Sequence, residues 1–299
     1  MDDRLVVGYD GSVDAQVAVR WAAAQALRRR WVLDLVHVRG LVEGEHPGGS
    51  STAPALLRYV QAVAAEGAAE ATAAAPGVTV RASVAAGPPA AVLVEHARGA
   101  RGVVVGRHGA GRLTRARLGA VAAGVLHHAE CPVAVVPGEP VARLLPGTPV
   151  VVGFDGSPGA FGALATACDD VAVRGTEVTV VTAWTTAADL FDAPHRVSAY
   201  PDRSPSEVAL GEAERVSALA RQWADAHPDV PVSCQVVPGR AADVLVRRSA
   251  SARAVVVGTR GRGGFASLVL GSTSNAVVQR ARCPVVVTRE LRPVPRGAP

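Results

Sequence analysis

Short, continuously apolar runs rich in valine recur along the chain, separated by longer alanine-rich stretches with helical periodicity. The runs near 4–9, 32–38, 78–84, 102–106 and 132–136 have strand length, as do those near 149–154, 177–183, 231–237, 254–257 and 284–288. Runs such as Val103-Val104-Val105 and Val255-Val256-Val257 lack polar alternation, as expected of strands covered on both faces. Helix-start signals lie between them: Ser12 and Ser157 as N-caps, and Pro88 directly after Gly87. Strand–helix alternation of this kind predicts parallel sheets with right-handed crossovers and helices on both faces. Ligands of such sheets bind beyond the carboxyl ends of the strands, where strand order reverses.

The pattern occurs twice. Leu5-Val-Val-Gly-Tyr-Asp-Gly-Ser12 matches Val150-Val-Val-Gly-Phe-Asp-Gly-Ser157 at an offset of 145. Gly87–Val94, Val103–Gly109 and Cys131–Val136 match Gly239–Val246, Val255–Gly261 and Cys283–Thr288 at 152. The larger offset puts an insertion in the second copy, within the Pro-rich and polar stretch Thr185–Ser206. Pro137–Pro149 reads as a linker, so the domains are expected at 1–140 and 147–299. Each is a five-stranded, doubly wound α/β unit.

Composition narrows the chemistry. All 31 basic residues are arginine, set against 26 acids, and only Arg28-Arg29-Arg30 forms a run of three. Scattered charge of this kind does not make a nucleic-acid stripe. The longest charge-free run, Gly263–Gln279, contains Gly, Ser, Thr and Asn, which argues against a membrane span. The start Met1-Asp2-Asp3-Arg4 does not read as a signal peptide, and four cysteines without metal spacing suit reduced thiols in a cytoplasm. Without lysine, neither a Walker A loop nor a protein-kinase set can be built. His127-His128 are adjacent on a helix and point about 100° apart, which does not make a metal site.

The polar features concentrate after the fourth strand of each copy. In copy two, Gly258-Thr-Arg-Gly261 is followed after nine residues by Gly271-Ser272-Thr273-Ser274, opening a helix. Glycines spaced in this way let backbone N–H groups approach a ligand closely, and a helix start offers unpaired N–H groups and a favourable dipole for an anion. The three hydroxyls, with Arg260 and Arg262, add donors for phosphate oxygens. This Gly-x2-Gly-x9-Gly-Ser spacing resembles the ATP-binding motif of the universal stress protein family. The opening Gly-Tyr/Phe-Asp-Gly-Ser, the Cys-Pro-Val end strand and the tandem arrangement extend the resemblance over nearly the whole chain.

The resemblance implies two Rossmann-like domains that bind ATP, with Mg2+ bridging phosphate oxygens, in a stress-response or growth-control role rather than strong catalysis. It implies nucleotide contacts from Asp10 and Asp155, which end the first strands, and from backbone at Val38 and Ala183, which end the second. Asp-Gly-Ser is also ordinary turn chemistry, so both aspartates have a capping role open to them. The resemblance further implies a regulatory protein partner. It also implies antiparallel pairing of end strands, between the two copies within one chain or between chains as a homodimer. Copy one keeps Gly106, Gly109 and Gly119, but Ala120 replaces the hydroxyl residue, so its nucleotide binding is expected to be weaker or absent. A slow ATPase or phosphotransferase and a scaffold with vestigial sites remain open as alternatives.

Overall fold

The structure is a computed structural model that describes residues 3–40, 54–111, 118–138, 147–185, 204–261 and 270–289. The chain divides into two units, Met1–Val141 and Ala142–Pro299.

In domain 1 the elements run β1 (Arg4–Gly8), α1 (Val13–Arg29), β2 (Val32–Arg39), α2 (Pro54–Ala74), β3 (Val80–Ala86), α3 (Pro89–His96), β4 (Gly102–Gly106), α4 (Ala120–His128) and β5 (Val133–Val136). The strand order is β3-β2-β1-β4-β5, and every pairing is parallel. Successive steps move outward from β1 on one side and then cross to the other. Helices α1 and α2 consequently pack together on one face and α3 and α4 on the opposite face. The reversal point falls between β1 and β4, whose carboxyl ends carry Asp10 and the Gly106–Gly109 loop.

Domain 2 repeats the scheme with β6 (Val150–Gly153), α5 (Pro158–Arg174), β7 (Val178–Trp184), α6 (Pro205–Asp225), β8 (Val232–Pro238), α7 (Ala241–Arg248), β9 (Ala254–Gly258), α8 (Ser272–Arg280) and β10 (Val285–Thr288). Its order is β8-β7-β6-β9-β10, again parallel throughout. Strand β9 is buried throughout and β6 at every residue but Gly153, which explains why they read as unbroken valine runs. The core beneath α5 and α6 gathers Val150, Val152, Phe154, Leu164, Val171 and Val216, with the Phe154 and Phe161 rings edge to face at 5.0 Å.

The two serine helix starts carry their caps, while Pro88 precedes α3 without a side-chain cap bond. Ser12 Oγ accepts the Ala15 N–H and Ser157 Oγ accepts the Ala160 N–H, both at 3.2 Å. Each such bond contributes about 1 kcal/mol to its helix. The expected strands lie within two residues of those observed. The largest shift is β3, which begins at Val80 rather than 78 because Gly77 takes φ +95° and Val78 N–H turns back to Ala75 O. Most of the linker and of the insertion in the second copy lies outside the described residues. No described helix is long and apolar enough to cross a membrane.

Candidate functional site

The glycine loop of domain 2 is built by backbone fitting against backbone. Strand β9 ends at Gly258, where a Cβ would fall 2.7 Å from the Gly159 carbonyl carbon and 2.9 Å from its oxygen. Only glycine lets the strand end meet the first turn of α5 this closely. The chain then turns outward: Arg260 is exposed, while its carbonyl accepts the Ser157 hydroxyl at 3.4 Å. At Gly261 an added Cβ would press on the Asp155 carboxylate, so Asp155 lies directly beside the second loop glycine. The other Asp155 oxygen accepts the Ser157 N–H at 3.0 Å. The turn role of Asp155 and its place at the loop therefore coexist in one side chain.

The helix start is locked to the same loop. Gly271 N–H donates to Thr259 O at 2.7 Å, which brings the entry of α8 against the turn after β9. Gly271 is the N-cap and provides no side-chain cap bond. The first turn of α8, a positive helix pole, and the loop after β9 thus lie against one another. Ser272 is exposed and Thr273 half-buried beside it. Ser274 faces inward instead: its hydroxyl is buried and donates to Gly258 O at 2.7 Å, bracing the loop from beneath. Ala183 is half-buried in β7 opposite Val237, one residue before Trp184, whose carbonyl accepts Gly239 N–H at 2.7 Å. Arg262 lies outside the described residues.

Domain 1 follows the same geometry with different side chains. Gly119 N–H donates to Arg107 O at 2.9 Å, and Gly119 caps α4 without a side-chain bond. Asp10 accepts Ser12 N–H at 3.0 Å and Ala110 N–H at 2.9 Å, and a Cβ on Gly109 would meet its carboxylate at 2.8 Å. Ala120 is exposed where domain 2 has Ser272. Val38 pairs with Ala85 near the end of β2, as Ala183 pairs with Val237. Gly106 packs on the first turn of α1, where a Cβ would meet Asp14 Cβ at 2.8 Å and Ala15 N at 3.0 Å. Asp14 and Gly159 are partners of the loop glycines that motif spacing did not reveal; their one trace in the sequence is a mismatch between the copies at this position.

Other chemistry-bearing groups lie apart from these loops. His127 and His128 end α4 as exposed residues, and no group of three potential metal-binding side chains occurs among the described residues. Cys283 is fully buried and Cys131 half-buried at the entries of their end strands. Tyr9 follows β1 and donates its hydroxyl to Glu66 at 3.0 Å. Burial and the neighbouring Glu66 push its pKa up to about 12. An open groove of about 730 Å3 along α2 is lined by Ala68, Ala69, Thr72, Ala73, Val78 and Val80. It carries no ionisable group and begins at the amino end of β3, away from the glycine loops.

Comparison with known proteins accounts for both halves. The model of the universal stress protein family matches residues 1–137 and again 148–289. Universal stress proteins Rv2005c and Rv2623 of Mycobacterium tuberculosis H37Rv are each 36% identical to the chain. The first alignment covers 96% of this chain and 97% of the relative, the second 96% of each. A universal stress protein structure from Archaeoglobus fulgidus DSM 4304 superposes with a TM-score of 0.71 at 19% identity, covering 97% of this chain and 99% of that one. Matched in each half by the family model and along its length by these relatives, the chain belongs to the universal stress protein family as a tandem of two such domains.

Proposed function

We propose that the chain is a nucleotide-responsive regulator that binds ATP, with Mg2+, in domain 2. The observation that carries this reading is the convergence of the Gly258–Gly261 turn and the uncapped start of α8, held together by the Gly271–Thr259 bond. Such a cradle of backbone donors at a helix pole suits a polyanion. In this reading Ser272 and Thr273 add hydroxyls to the phosphates, Arg260 adds charge from the loop, and Asp155 faces the ribose side. Gly258, Gly261 and Gly271 let the loop pack closely on α5, Asp155 and the turn after β9, and the end of β7 at Ala183 meets the adenine. Mg2+ is carried chiefly by phosphate oxygens, with water completing its shell.

In domain 1, Asp10, Val38, Gly106, Gly109 and Gly119 form the corresponding frame, where binding is weaker or absent and Ala120 offers no hydroxyl. The function is regulatory: nucleotide binding changes the loops around 107–118 and 259–270, of which 112–117 and 262–269 lie outside the described residues, and so the surface presented to a protein partner in the cytoplasm. Pairing of the end strands β5 and β10, within the chain or between two chains, belongs to the same reading. The test is calorimetric titration of nucleotide-free, full-length protein with ATP and Mg2+, with mass spectrometry of whatever co-purifies. Saturable binding abolished by Gly261→Asp is the expected result. Absence of binding, with no adenine nucleotide carried through purification, would remove the proposal.

A further inference from the structure

The two halves differ at the turn that packs beneath each glycine loop. Domain 1 has Asp14 where domain 2 has Gly159, at the offset of 145 that relates the first strands. Asp14 Oδ2 accepts two bonds from one loop residue, the His108 main-chain N–H at 3.0 Å and the His108 ring Nδ1 at 3.0 Å. Gly138 makes room for this carboxylate, since a Cβ there would run into it, while Gly106 makes room for the Asp14 Cβ and the first-turn backbone. At Gly159 the corresponding direction faces Arg260 O at 3.2 Å, Gly258 Cα at 3.5 Å and the Ser157 hydroxyl at 4.0 Å.

The consequence is electrostatic. A carboxylate accepts but does not donate, so His108 Nδ1 carries the hydrogen in this pair. The other ring nitrogen, Nε2, is buried without a hydrogen-bond partner. Domain 1 therefore sets a carboxylate on a loop N–H, where domain 2 has Gly159 and Arg260. Phosphate oxygens are also acceptors, and like charges at this range repel in a partly desolvated site.

Building on the reading of domain 2 as the ATP site, we propose that Asp14, positioned by His108, excludes polyphosphate from domain 1. Asp14 and its counterpart Gly159 are thus the residues that decide which half takes the nucleotide.

The test titrates the nucleotide-free full-length chain with ATP and Mg2+ by calorimetry, with thermal melts showing that each variant is folded. Wild type and Ala120→Ser are expected to bind at one site, because a restored hydroxyl leaves the Asp14 charge in place. Adding Asp14→Gly to Ala120→Ser is expected to open a second site, and Gly159→Asp to weaken the domain 2 site at least tenfold. Asp14→Asn, which keeps the shape and removes the charge, replaces Asp14→Gly if that variant does not fold. Two sites in wild type or in Ala120→Ser would overturn the role of Asp14 while leaving ATP binding intact. A folded double variant that still binds at one site would do the same. No binding by wild type would overturn the domain 2 reading, and this assignment with it.

Discussion

Domains 1 and 2 share the strand order, the two loop glycines and the bond that ties the helix start to the loop. Within that common backbone, a few side chains change what the loop offers. Domain 2 places Gly159 below it, Arg260 on it and Ser272 at the helix entry; domain 1 places Asp14, His108 and Ala120 at the same positions. The backbone geometry at the end of β4 is nearly that at the end of β9, with Gly119–Arg107 and Gly271–Thr259 bonds of 2.9 and 2.7 Å. Duplication thus preserved the cradle while its charge diverged. A glycine motif alone specifies a shape; the neighbours from the first helix set its sign.

The sharpest break of this comparison uses the glycines themselves. Gly258→Ala and Gly106→Ala each force a Cβ within 3.0 Å of first-turn backbone. Each is expected to cost about 2 kcal/mol of stability, in the range of over-packed sites. Only Gly258→Ala should also abolish the rise in melting temperature with ATP, which thermal shift assays of both variants would check. Ser272→Ala comes next. Loss of a hydrogen bond to a charged group costs roughly 1.5–3 kcal/mol, so ATP affinity should fall about tenfold or more in calorimetry. An unchanged affinity would mean that the exposed hydroxyl does not reach the phosphates.

A smaller contrast lies at the ends of the first helices. α1 closes on Arg30 at φ 56°, and α5 closes on Gly175 at φ 67°. A left-handed arginine costs roughly 1–2 kcal/mol, of which glycine's freedom in the unfolded chain takes back about 0.4–1. Arg30→Gly should therefore stabilise the protein by about 0.5 kcal/mol in urea melts, whereas Gly175→Ala should destabilise it. The subtlest contrast emerges only in alkali. Burial, with Asp169 nearby, pushes the Cys168 thiol up to about 11, while Tyr9 in domain 1 is pushed to about 12. Both groups hold their protons more tightly when folded, so each contributes stability below its ordinary pKa that is lost as pH rises toward the folded value. Domain 2 should weaken from about pH 9 and domain 1 from about pH 10. Cys168→Ala, which copies the buried Ala23 of domain 1, should reduce the earlier loss in melts collected across that range, leaving the part due to Cys234, whose thiol is also pushed up by burial.

Much of this was legible in the sequence. Unbroken valine runs mark central parallel strands because both faces are covered, and the offsets of 145 and 152 expose the duplication before any coordinate is known. The serine caps were legible too, since a cap bonds two or three residues ahead. What escaped depends on direction and distance. Ser272, Thr273 and Ser274 look alike on paper, yet the helical turn points the last of them inward to Gly258. Asp14 finds its partner His108 across 94 residues of sequence, and Gly258 finds Gly159 across the strand–helix interface. Contacts of this kind follow from the packed fold and leave no periodic signature.

The bare entry of α8 has a consequence for how the protein could be monitored. With Gly271 supplying no side-chain acceptor, the first amide protons of that turn are left to water and should exchange quickly with deuterium in unliganded protein. An anion seated there would slow those few positions by name, giving an occupancy gauge localised to a single helical turn. The matching turn at Gly119 would serve as its internal control, recorded in the same spectrum of the same molecule.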